Sequence, residues 1–94
     1  MDKLTQEQLT EALKNLSGWA YSEGSIKKNF KTQSYPLTLA FVTALGAICQ
    51  KKNHHPDYVL MKFRDIEVSF STHSAGGVTE KDIETASELE KIPL

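Results

Sequence analysis

The chain has 94 residues, with 11 Lys and Arg against 12 Asp and Glu and a formal charge of −1 at pH 7; with no block of basic residues, direct nucleic-acid binding has no electrostatic footprint. A composition of 39% hydrophobic and 24% charged residues excludes a disordered chain and fits one domain, 1–94, around a single modest core. The lone cysteine, Cys49, excludes an internal disulfide and fits a reducing compartment.

The start, MDKLTQEQL, has no apolar segment of signal-peptide length. The most apolar run, Leu37 to Cys49, contains Thr38 and Thr43 and is too short to span a bilayer. A cytoplasmic protein with no membrane association is therefore expected.

Thr5 and Gln8 have the spacing of a capping box. Leu9, Ala12, Leu13 and Leu16 follow at helical intervals, which predicts a first helix over Thr5–Leu16 with Gly18 as its terminator. Trp19 and Tyr21, then Ile26, Lys28 and Phe30, alternate with small or polar residues around a turn at Ser22–Ser25, the pattern of a hairpin with one half-buried face. Pro36 suits the first turn of a second helix. In that helix Leu37, Phe41, Leu45 and Ile48 form a stripe flanked by Leu39, Val42 and Cys49. It should end near Asn53–His55, because Pro56 disfavours helical geometry in the residue before it.

Tyr58 to Phe63 is a short strand candidate, connected through Arg64–Asp65 to the stretch DIEVSFSTH. There Ile66, Val68, Phe70 and Thr72 alternate with Glu67, Ser69, Ser71 and His73, so the two sets occupy opposite faces. After the loop SAGG, Thr79 and Asp82 repeat the capping-box spacing, and Ile83, Ala86 and Leu89 mark the core side of a last helix that stops at Pro93. The predicted architecture is α+β: a four-stranded antiparallel sheet in the order α-β-β-α-β-β-α, with three helices on one face.

All three histidines fall at ends of elements, where a rigid scaffold aims side chains. His54 and His55 lie where a helix gives way to a strand, and His73 ends a strand on its polar side. Imidazole titrates near neutrality and suits proton transfer. Two other readings remain open at this point. Histidines at a helix C-terminus are favoured by the helix dipole alone. Three imidazoles can also hold a catalytic zinc, although no tight pair of histidines one helical turn apart and no second cysteine is present. Composition and spacing do not choose among these readings.

The residues NHHPDY, then Phe63, then STH with His73, then Asp82 in TEKD, resemble the signature of the pterin-4a-carbinolamine dehydratases. Phe63 follows Pro56 by seven positions, His73 follows Phe63 by ten, and Asp82 follows His73 by nine; each step is similar to the family spacing. The resemblance covers nearly the whole chain. It implies dehydration of 4a-hydroxytetrahydrobiopterin to quinonoid dihydrobiopterin, in recycling of the tetrahydropterin used by aromatic amino acid hydroxylases, without a metal or organic cofactor. It further implies that His54 and His73 carry the proton transfers and that His55 binds and orients the pterin. The pterin edge would then be read by main-chain groups at Ser71–Thr72, with Tyr58 as an aromatic wall where many relatives have tryptophan. Pro56 fixes the turn that presents the histidines.

Asp82 supports the site or caps its helix. Gln50 stands where the family usually has a charged residue, so it offers a hydrogen bond without charge. The resemblance also implies a homo-oligomer, a dimer or a tetramer. Relatives of a different kind act as transcriptional dimerisation cofactors or assembly factors, which makes a non-catalytic interaction protein the alternative.

Overall fold

The structure, a computed structural model, describes residues 1–93. In chain order it contains α1 (Gln6–Leu13), β1 (Ala20–Ser22), β2 (Ser25–Lys31), α2 (Tyr35–Lys52), β3 (Tyr58–Met61), β4 (Asp65–Phe70), a 3-10 turn at His73–Ala75, and α3 (Glu80–Leu89). The α-β-β-α-β-β-α order is the one expected. The strands form one antiparallel sheet in the order β1-β2-β4-β3, so the two hairpins join through β2 and β4. That pairing sets Ile26 opposite Phe70 and Phe30 opposite Ile66. Period-two geometry then gives the sheet one apolar face, with Ile26, Phe30, Ile66, Val68 and Phe70 all buried. Leu9 of α1, Phe41, Leu45 and Cys49 of α2, and Ile83, Ala86 and Leu89 of α3 complete the same core.

Both predicted capping boxes form. Thr5 and Gln8 exchange bonds at 2.9 and 3.1 Å, and Thr79 N–H donates to Asp82 Oδ2 at 2.8 Å. Regular α1 ends at Leu13, earlier than the Leu16 expected. The next residues tighten into i→i−3 bonds, Asn15 to Ala12 and Leu16 to Leu13, while Leu16 still reaches the core. Gly18 then turns the chain at φ +88°, a left-handed conformation that suits glycine.

The buried row of α2 is Thr38, Phe41, Leu45 and Cys49, one position on from the expected stripe, and Leu37 is left 43% exposed. Thr38 takes the inward place because its hydroxyl is satisfied there, donating to the Phe63 or Ser34 carbonyl at 2.9 or 3.1 Å. Lys28 keeps the inward register of the hairpin but sends its ammonium outward to Glu90 at 2.8 Å and the Ser17 carbonyl at 2.9 Å. Trp19 just precedes β1 and packs edge-on to Phe30 at 5.9 Å, with its indole N–H on Glu90 at 2.9 Å. Tyr21, in the edge strand β1, is exposed instead of half-buried.

Strand β3 stops at Met61 rather than Phe63, because Lys62 N–H closes a turn onto Asp65 O at 2.7 Å. Phe63 is exposed and stacks on Tyr35 at 6.0 Å. Strand β4 ends at Phe70, so His73 opens the 3-10 turn instead of ending a strand. Among the described residues no helix is long and apolar enough to cross a membrane.

Candidate active site

Asn53 ends α2 in the left-handed region at φ 52°. His54 N–H bonds back to Cys49 O at 3.1 Å, a closure typical of helix C-termini. The chain then turns through His55 and Pro56, and Asp57 N–H docks on Ser69 O of β4 at 2.7 Å. Because β3 lies directly beside β4, this loop faces the segment that follows β4. Between them is a cleft of about 400 Å³. Its walls include His54, His55, Pro56, Ser71, Thr72 and His73, together with Asp57. All three imidazoles therefore share one cavity.

His54 is the more enclosed of the two outermost histidines in the chain, with its side chain 12% exposed. The ring lies nearly parallel to Phe70 at 5.9 Å, and Nε2 is 2.5 Å from Asp82 Oδ1. Asp82 is fully buried. Its other oxygen accepts from Thr79 N–H and the Thr72 hydroxyl, each at 2.8 Å. Cap and site support were alternative readings of Asp82, and one carboxylate does both: Oδ2 closes the α3 capping box while Oδ1 holds His54. An ionised carboxylate only accepts hydrogen bonds. The His54 Nε2 therefore carries the proton, and Nδ1 is the ring nitrogen left for exchange.

His73 is also paired with a carboxylate. Its Nε2 lies 3.1 Å from Asp57 Oδ1, yet its side chain is 86% exposed. Asp57 accepts further bonds from Ser71 Oγ at 2.6 Å, Ser69 Oγ at 2.8 Å and Ser25 Oγ at 3.1 Å. Burial pushes its carboxyl up, but the bonds from Ser71, Ser69, Ser25 and His73 outweigh burial and hold it below the ordinary aspartate range. Asp57 received no role from the sequence. A partial signal existed: Ser69, Ser71 and His73 alternate in the sequence, and polar groups repeating at period two call for an acceptor beside them.

A folded-state value below the unfolded one, about 3.9, means that Asp57 stabilises the fold above about pH 4. The contribution falls as pH drops through the lowered folded-state value. Urea midpoints should therefore place the wild type above Asp57→Asn at pH 7, with the gap closing toward pH 2. A gap that persists unchanged in acid contradicts this.

The other predicted residues divide. Pro56, His55, Ser71 and Thr72 line the cleft, but the Thr72 main chain is engaged: N–H to Gly77 O at 2.8 Å, and C=O accepting from Ala75 N–H at 3.0 Å. Tyr58 is not part of the cleft lining; it stands opposite Ser69 in the register and its hydroxyl donates to Glu67. Gln50 is exposed, and the partner of the His54 ring is Asp82. Among the described residues no three His, Cys, Asp or Glu side chains converge in a way that could hold a metal ion. Cys49 is buried in the core, and burial pushes its thiol up, away from the reactive thiolate.

A four-stranded antiparallel sheet backed by three helices, with two histidine–carboxylate pairs beside one cleft at an end of the sheet, defines an α+β protein. Residues 2–92 match the family model described as pterin 4 alpha carbinolamine dehydratase, and the chain belongs to that family. A protein of Aquifex aeolicus named provisionally as a pterin-4-alpha-carbinolamine dehydratase is 34% identical over 90 residues, covering 96% of this chain and 90% of the relative. One of Sulfolobus acidocaldarius with the same provisional name is 36% identical over 90 residues, covering 96% and 98%. Among solved structures, a transcriptional coactivator/pterin dehydratase from Brucella melitensis superposes with a TM-score of 0.89 at 30% identity, covering 95% of this chain and 96% of that one. A pterin dehydratase-like RuBisCO assembly factor of the alpha-carboxysome shares the fold, with a TM-score of 0.68 at 20% identity over 78% of this chain and 86% of that one.

Proposed function

We propose that the chain is a 4a-hydroxytetrahydrobiopterin dehydratase, acting in the cytoplasm on a pterin released by an aromatic amino acid hydroxylase. The observation that carries this reading is the placement of His54 and His73 in one cleft, each with Nε2 on its own aspartate. Dehydration requires a proton delivered to the departing C4a hydroxyl and a proton removed from the adjacent ring nitrogen; the C4a–O bond breaks, a C=N bond forms and water leaves. Two imidazoles, one as acid and one as base, supply both transfers. A paired carboxylate stabilises each ring when it is cationic and fixes its tautomer when it is neutral. His55 and Pro56 form the wall that the flat heterocycle meets. The engagement of the Thr72 main chain within its own turn leaves Ser71 to read the amide and amino edge of the pterin. Tyr58 stands outside the cleft lining, with its hydroxyl on Glu67.

The same reading includes self-association, for which the groove bordered by Leu37, Ala40, Ala44 and Ile92 beside α2 offers an apolar surface. The alternative of a purely interacting protein gives no reason for three imidazoles in one cleft. Titration of a stable dihydropterin into isotope-labelled protein tests the substrate class. Ring signals of His54, His55 and His73 and the Ser71 amide should shift together and saturably. Shifts confined to other faces, or none, contradict the proposal.

A further inference from the structure

We propose that Asp57 is a positioning residue, holding the His73 ring in the single orientation from which it exchanges a proton; this rests on the dehydratase reading above. The contrast in burial carries the inference. With its side chain 86% exposed, His73 has little packing to select a rotamer, and its side-chain hydrogen bond is to Asp57 Oδ1 at 3.1 Å. Asp57 is only 16% exposed and is fixed from three directions. Ser71 Oγ anchors one oxygen at 2.6 Å. Ser69 and Ser25 anchor the other at 2.8 and 3.1 Å, and Asp57 N–H is tied to Ser69 O at 2.7 Å.

These anchors belong to β4, its immediate continuation and the start of β2, so the rigidity of the sheet centre reaches the exposed ring through one carboxylate. The carboxylate accepts on both oxygens and offers no proton, so the neutral His73 ring keeps its hydrogen on Nε2 and turns Nδ1 out for exchange. Fixing the ring in advance removes the entropy of ordering it from the barrier. The serine cluster is therefore more than polar decoration of the outer face. It makes a surface histidine behave as a buried one.

The test combines a double-mutant cycle with a readout that needs no activity. Asp57→Ala should lower kcat about 10- to 30-fold with KM changed less than about threefold. Asp57→Asn can keep its oxygen on His73 Nε2 and Ser71 Oγ while its amide nitrogen donates to the Ser69 and Ser25 hydroxyls; the amide N–H then does not face the ring, and this variant should recover most of that loss. In a His73→Ala background, Asp57→Ala should cost less than about twofold more, because its effect runs through the ring that is gone. Three-bond couplings of the His73 side chain should report one rotamer in the wild type and in Asp57→Asn, and an averaged set in Asp57→Ala. An equal cost of Asp57→Ala with and without His73, or couplings that Asp57→Ala does not alter, overturns the proposal. If the wild-type chain fails to accelerate dehydration, the dehydratase reading falls, and the couplings still decide whether Asp57 holds His73.

Discussion

With His54 and His73 both replaced by alanine, the chain is expected to leave the carbinolamine decaying at its uncatalysed rate. Each single replacement should already lower kcat by about 10²-fold, within the usual contribution of one positioned acid or base. His54→Ala should be the larger loss. Its ring is stacked on Phe70 at 5.9 Å and bonded to a fully buried carboxylate, so no water or neighbouring side chain reproduces its position. His73 works from an exposed site where buffer can substitute, and imidazole added to His73→Ala should restore part of the rate. Because the proton transfers belong to one elimination, the two losses should not multiply. Single-variant rates under saturating pterin check this: two singles near wild-type rate contradict it.

The second large effect falls on Asp82. Asp82→Ala should destabilise the fold by about 2–4 kcal/mol, because it strands a buried Thr79 N–H, takes one partner from the Thr72 hydroxyl and breaks the Asp82 half of the α3 capping box in one step. Asp82→Asn separates stability from chemistry. The amide oxygen can still accept from Thr79 and Thr72, so the urea midpoint should fall by less than half as much. The amide nitrogen, however, then faces His54 Nε2 as a donor and forces the ring proton to Nδ1. The neutral ring is then held in the opposite tautomer, without the carboxylate that stabilises its cation, and kcat should drop by 10²-fold or more, as wrong-tautomer variants of paired histidines do. Nitrogen chemical shifts of the His54 ring report the tautomer directly. A ring that keeps its proton on Nε2 in Asp82→Asn contradicts the account.

Much of this fold was legible because local signals and core demand agreed. Thr5–Gln8 and Thr79–Asp82 announce helix starts through fixed spacing, and Ile66, Val68 and Phe70 announce a strand through strict alternation. The misplacements occur where a satisfied polar group outranks a hydrophobic one. Thr38 displaces Leu37 from the buried row of α2 because its hydroxyl finds a carbonyl acceptor, and spacing alone ranks leucine first. Lys28 keeps an inward register because Glu90, far away in the chain, receives its ammonium.

The site divides along the same line. The grouping of His54, His55 and His73 was accessible through a family resemblance, since spacing alone left a helix-dipole role open. The pairing of His54 with Asp82 depends on α3 returning to the end of α2, a tertiary fact. Asp57 was only half signalled: Ser69 and Ser71 repeat at period two in the sequence, but Ser25, which converges on the same carboxylate, comes from the distant start of β2. Tyr58 drew notice as an aromatic residue beside the histidines in sequence; in the fold its hydroxyl donates to Glu67 and it lies outside the cleft lining.

The most direct test of the central claim is stopped-flow absorbance of the carbinolamine as a pterin-dependent hydroxylase releases it, followed with the wild-type chain, with the His54→Ala/His73→Ala variant, and with neither. Faster decay is expected with the wild type alone, and superimposable traces for the other two. Decay in the presence of folded wild-type protein no faster than in its absence would contradict the claim.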